Sequence, residues 1–183
     1  TMGEIENHFP HLIEVDESVA WDGRSQAVHA KRVRRLGALI LEERALTDAD
    51  PEAIADAMVK GVGEMGLGCL PWTDGASSFR AQVSFIRRHF PEEAWPDISD
   101  DALLRELDQW LKPYLSGLSR KSHLNRLDML AIMRDLVPHG LQRQMDVLAP
   151  RRIEVPSGSS VAIDYDTDGD PVIRVRLQEM FGL

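Results

Sequence analysis

The chain has 183 residues, 43% of them hydrophobic, with 21 Lys and Arg against 30 Asp and Glu for a formal net charge of −9. That is enough apolar material for one sizeable core; no stretch approaches the roughly 18 to 20 uninterrupted apolar residues of a membrane span, and Thr1 to Pro10 lacks the basic-then-apolar pattern of a signal peptide. The lone Cys69 can close no internal disulfide, so the reading is a cytoplasmic protein without membrane contact, whose acidic balance argues against indiscriminate nucleic-acid binding but leaves room for a local basic patch.

Residues 1–47 form a first, β-rich segment. Val19 and Trp21 share one side of an alternating run, Asp22-Gly23 signals a hairpin turn, and a longer second arm runs from Gln26 to Leu41. Residues 48–150 change to helical spacing. Asp50-Pro51-Glu52 offers a cap, a proline at the first helical position and an acidic first turn, and Ile54, Met58, Val62 and Met65 then repeat on one face. Phe79, Val83, Ile86 and Phe90 predict a second helix ending at Pro91, and Leu103, Leu107, Trp110 and Leu111 a third between the Ser99-Asp100 cap and Pro113. Leu127, Leu130, Met133 and Val137 predict a fourth, and Leu141, Met145 and Leu148 a short fifth. Residues 151–183 alternate again: Ile153 and Val155, then Val161, Ile163 and Tyr165, then Ile173, Val175 and Leu177, with turns at Ser157-Gly158 and Asp168-Gly169. This is an antiparallel meander with Arg174 and Arg176 opposite its apolar face. The fold class is therefore α+β, with hairpins or small sheets at both ends, able to join into one, around a central bundle of four or five helices in one compact domain.

Several motifs carry less chemistry than their letters suggest. Gly61-Val62-Gly63-Glu64-Met65-Gly66 spells GxGxxG, but a dinucleotide loop follows a strand and opens a helix, whereas these glycines close one. Asp164, Asp166, Asp168 and Gly169 copy the first half of a calcium loop, yet Val175 stands where the bidentate glutamate belongs, so an acidic hairpin tip is the better reading. His8 and His11 lack an acidic third ligand for zinc. No nucleophile elbow, HExxH or phosphate-cradling loop occurs, and Cys69 in Cys69-Leu70-Pro71-Trp72 reads as a small buried side chain. No catalytic or metal residues are assigned. Trp21, Trp72, Trp95 and Trp110 sit at apolar positions or beside prolines, as core or loop anchors.

One run stands out on this acidic chain: His29-Ala30-Lys31-Arg32-Val33-Arg34-Arg35. In an extended strand Lys31, Val33 and Arg35 face one way and Arg32 and Arg34 the other, so one face collects about half the charge. Two readings stay open, contact with phosphate and an edge strand guarded by charge. Arg151, Arg152, Arg174 and Arg176 add a second basic set, and neither set has the interleaved exposed aromatics of a base-stacking platform.

Leu36-Gly37-Ala38-Leu39-Ile40-Leu41, Cys69-Leu70-Pro71-Trp72, Trp95-Pro96-Asp97-Ile98-Ser99 and Trp110-Leu111-Lys112-Pro113-Tyr114-Leu115 together resemble the C-terminal region of bacterial HrpB-type ATP-dependent helicases, in the DEAH/RHA group. The resemblance is densest at Leu148-Ala149-Pro150, Ile153 to Ser159, Ile163-Asp164-Tyr165 and Val175 to Gly182. It implies a non-catalytic accessory module that helps a helicase bind or orient single-stranded RNA or braces its motor. No cofactor is expected on this chain, because the resemblance places ATP and Mg²⁺ in motor lobes that belong to the same longer protein. It also implies that the family pattern continues past Gly182, leaving a strand edge without its partner. The expected phosphate contacts are Lys31, Arg32, Arg34 and Arg35, with Arg174 and Arg176 beside them. The alternative is a protein-docking or purely structural module, for which an acidic face and the Leu103–Leu111 helix are the candidate surfaces. An independent enzyme ranks last.

Overall fold

The computed structural model describes residues 12–165 and 169–181; His8, His11, Asp166 and Asp168 lie outside them. In chain order the elements are β1 (Ile13–Asp22), β2 (Ala27–Leu36), β3 (Leu39–Ala45), α1 (Pro51–Met65), α2 (Asp74–His89), α3 (Asp100–Arg105), α4 (Leu107–Trp110), α5 (Met129–Asp135), α6 (His139–Gln142), α7 (Met145–Leu148), β4 (Arg152–Glu154), β5 (Ser160–Asp164), β6 (Val172–Ile173) and α8 (Leu177–Met180), with 3₁₀ turns at Leu67–Cys69, Lys112–Tyr114 and Lys121–Arg126. The class is α+β, as the patterning implied. The chain divides into two compact units: the described part of Thr1–Cys69 with Leu107–Arg126, and the described part of Leu70–Glu106 with Leu127–Leu183. The helical stretch 48–150 is thus shared between them.

In the first unit β1, β2 and β3 form an antiparallel sheet in that order. The single long arm expected over Gln26–Leu41 is two strands, because Gly37 adopts φ +56, which lets the chain reverse between Leu36 and Leu39. α1 starts where its cap chemistry said: the Asp50 carboxylate accepts from the Glu52 N–H at 3.1 Å, and Pro51 fills the first helical position. Met58 and Val62 are wholly buried, as are Leu111 and Leu115. Gly61 and Gly63 lie inside α1, with the Trp21 ring directly over Gly61; only Gly66, at φ +77, ends the helix. Close packing thus explains one glycine of the GxGxxG and helix termination another.

In the second unit Thr73 caps α2 by accepting from the Ala76 N–H at 3.2 Å, and the helix buries Phe79, Val83 and Ile86 at the expected spacing. The buried Gln82 donates from Nε2 to the Ala149 carbonyl at 2.8 Å, fixing α2 to the end of α7. Leu103 to Leu111 is not one helix: the chain breaks at Glu106, and Leu103 packs in the second unit while Leu107 and Leu111 pack in the first. All three are buried, so their apolar face is unavailable as a docking surface. Leu141 to Leu148 likewise splits into α6 and α7.

The C-terminal sheet has the order β4-β5-β6, separate from the first sheet. Its third strand is shorter than expected. Ile173 pairs with Ile163 and Val172 with Asp164, after which the chain leaves the sheet, so Val175 and Leu177 are not strand residues. The tail satisfies its backbone elsewhere: Ser157 N–H donates to the Glu179 carbonyl at 3.1 Å, and Glu179 N–H to Arg176 at 2.9 Å, winding residues 176–181 into the turn of α8.

Candidate nucleic-acid interface

Strand register decides what the basic run on β2 can do. Glu17 on β1 lies directly opposite Arg32, and Glu42 on β3 opposite Arg34. Both guanidinium groups are engaged across the strands: Arg32 reaches Glu17 through Nε at 2.8 Å and Nη2 at 2.5 Å, and Arg34 reaches Glu42 at 3.3 Å. On the other face, Asp16, Val33 and Glu43 form one cross-strand row, and their diagonal neighbours pair as Arg35–Asp16 at 3.0 Å and Lys31–Glu43 at 3.1 Å. Each of the four cations therefore has its own carboxylate. Glu17 holds Arg32 still more firmly protonated, by hydrogen bond first and charge second. Such half-exposed pairs are each worth about 0–1 kcal/mol, so they organise the sheet face more than they stabilise it.

The second set belongs to the other unit, and only one of its cations, Arg174, has a carboxylate partner among the described residues. Arg174 pairs with Asp164 at 2.8 Å, Arg152 donates to the Ser160 hydroxyl at 2.9 Å, and Arg176 is exposed at the start of α8.

A third basic run was missed in the sequence: Arg120-Lys121-Ser122-His123-Leu124-Asn125-Arg126. The fold sets it against the start of β2. Val28 N–H donates to the Ser119 carbonyl at 2.7 Å, Lys121 N–H to the Gln26 carbonyl at 2.9 Å, and Ala27 and Arg120 form an isolated β-bridge. Gln26 adopts φ +51, a left-handed backbone that a non-glycine residue holds only when its surroundings enforce it. Between these walls opens a cleft of about 420 Å³, lined by Ser25, Gln26, Arg120, Lys121, Ser122 and Asn125, with Cys69 at its side. Asp22 in the adjoining turn is occupied, its carboxylate accepting from the Ser25 hydroxyl at 2.6 Å and the Ser25 and Arg24 backbone N–H groups, which hold it below its usual range. His123 faces inward from the same run. Its Nδ1 accepts from the Ser119 N–H at 3.2 Å, and partial burial, then Arg126 and Arg120, depress its pKa below 6.5. Burial pushes the Cys69 thiol up.

Comparison with known proteins fixes the class. Residues 110–183 match the family described as the C-terminal region of ATP-dependent helicases. Residues 12–46, which hold the basic strand, match the connector region of the ATP-dependent RNA helicase HrpB. A curated relative, the ATP-dependent RNA helicase HrpB of Escherichia coli strain K12, is 32% identical over 179 residues, which is 98% of this chain and 22% of the relative. A crystal structure described as the E. coli DExH-box NTPase HrpB superposes with a TM-score of 0.69 at 31% identity, covering 98% of this chain and 22% of that one. Another, of the E. coli DEAH/RHA helicase HrpB, gives 0.68 at 33% identity over 93% and 22%. The chain belongs to the HrpB-type helicases, as their C-terminal region. It spans about a fifth of the length of these relatives.

Proposed function

We propose that this chain is the accessory module of an ATP-dependent RNA helicase and holds or orients single-stranded RNA for a motor carried by the rest of the longer protein, in the cytoplasm. It does no chemistry itself; ATP and Mg²⁺ are bound by the motor lobes. One observation carries the reading: on an acidic chain, the fold sets the start of a second basic run, Arg120 to Arg126, against the beginning of β2, the strand whose later half carries Lys31 to Arg35. Lys31, Arg32, Arg34 and Arg35 reach phosphate only by giving up a carboxylate, as does Arg174 in the second unit with Arg176 beside it, so these are secondary contacts. Among the described residues, no helix is long and apolar enough to cross a membrane.

The test is a fluorescence-anisotropy titration of the chain with a labelled single-stranded RNA at two salt concentrations. Saturable binding is expected, weakening with salt at a logarithmic slope of about −0.7 per phosphate contact. Absence of binding at low salt refutes an autonomous grip. A second reading, docking onto protein, draws on Leu177, Met180 and Phe181, which are 74%, 48% and 69% exposed at and beside α8.

A further inference from the structure

We infer that the phosphodiester backbone of single-stranded RNA enters the cleft beside the β1–β2 turn, and that Arg120 and Lys121, rather than the β2 ladder, make its dominant contacts. The inference deepens the RNA-holding reading and rests on it. It follows from where positive charge is left unmatched. Every cation of the ladder has a carboxylate within 3.3 Å. A phosphate arriving there has to break that ion pair and then lie beside the carboxylate it displaced, so attraction to the cation is offset by repulsion from its former partner.

The cleft lacks that penalty. Arg120 and Lys121 are exposed, and neither forms an ion pair among the described residues. The lining contains no carboxylate, whereas two further clefts contain Asp74 and Asp164 and a third contains Asp50, Glu52 and Asp108. Ser122 and Asn125 supply neutral donors. The frame is fixed before RNA arrives, because the backbone bonds from Val28 to Ser119 and from Lys121 to Gln26 join the two walls. His123 accepts the Ser119 N–H and so holds the basic run in place without adding charge of its own when neutral. No aromatic ring lines the cleft, so the contact reads the backbone and not the bases.

The experiment compares three forms of the 183-residue chain by anisotropy against the same labelled single-stranded RNA across a salt series: the native chain, Arg120→Ala/Lys121→Ala, and Arg32→Ala/Arg34→Ala/Arg35→Ala. The cleft variant is expected to bind roughly tenfold more weakly with a salt slope shallower by about 1.4, two contacts at about 0.7 each, while the ladder variant stays within about threefold. Thermal melting confirms that each variant folds, and Lys121→Arg, which keeps the charge, retains binding. Cys69 gives a second readout as the sole cysteine: RNA should slow its alkylation by iodoacetamide, measured at alkaline pH because burial raises the thiol's pKa. Loss of affinity confined to the ladder variant, equal loss in both variants, or unprotected Cys69 in the RNA-bound chain overturns the cleft while leaving RNA holding intact. Failure of the native chain to bind removes both.

Discussion

Gly61 offers a test in which the sign of the effect depends on one neighbour. A Cβ placed there meets Trp21 Cδ2 at 2.4 Å and Cε2 and Cε3 at 2.7 Å, whereas carbon atoms in contact sit at about 3.5–4.0 Å, so ring or helix must move by about 1 Å. In an uncrowded helix interior, Gly→Ala stabilises by about 1 kcal/mol through backbone entropy. Overpacking a dense site costs about 1–3 kcal/mol, and a collision with three ring atoms belongs at the top of that range. Gly61→Ala should therefore destabilise by about 2 kcal/mol net, lowering Tm by about 4–8 °C for a chain of this size. In a Trp21→Ala background the collision is gone and the same change should stabilise by about 1 kcal/mol, a coupling of about 3 kcal/mol between the two sites. Urea unfolding of the four members of the cycle, followed by far-UV circular dichroism, measures this. An increase in stability in the native background, or the same change in both, refutes the packing argument.

Arg80 is 13% exposed; it donates from Nε and Nη2 to the Ile98 carbonyl at 3.1 and 2.9 Å, reaches Asp100 at 2.5 Å and lies 4.7 Å over the Trp72 ring. Arg80→Ala should cost about 2–3 kcal/mol by denaturant unfolding, because it strands that carbonyl and removes the stacked guanidinium, and Arg80→Lys should recover less than half of it. The depressed pKa of His123 means that the unfolded chain takes up its proton first as pH falls. Stability should therefore be fully present above pH 6.5 and decline below it until the folded-state pKa is passed; His123→Gln should flatten that part of a Tm-against-pH curve, and an unchanged curve would show that this histidine does not titrate with folding.

Elements governed by local chemistry were legible. Asp50-Pro51-Glu52 announces the start of α1 because cap, proline and acidic first turn act within four residues of one another. The Gln26–Leu41 arm was misread because its reversal depends on one left-handed glycine, Gly37, without the Asn-Gly or Asp-Gly pair that marks most tight hairpins. The apolar spacing across Glu106 is helical on both sides, and only tertiary structure assigns Leu103 and Leu107 to different cores. The tail alternates like a strand, yet its hydrogen bonds go to Ser157 and to its own turn. At the site, the charge of Lys31 to Arg35 was visible, but its neutralisation by Asp16, Glu17, Glu42 and Glu43 follows from register alone. Arg120 to Arg126 escaped notice because it falls in a 3₁₀ stretch with no periodic pattern to frame it, although four of its seven residues are Arg, Lys or His.

The two compact units are not consecutive lengths of polypeptide. The first is resumed at Leu107 after an excursion through Leu70–Glu106, and the second is resumed at Leu127. No single cut therefore releases either one free of part of the other, and trimming the gene at residue 110, where the C-terminal family match begins, would keep Arg120 and Lys121 while discarding the strand that frames them. A break at any point in the chain divides at least one of the two units.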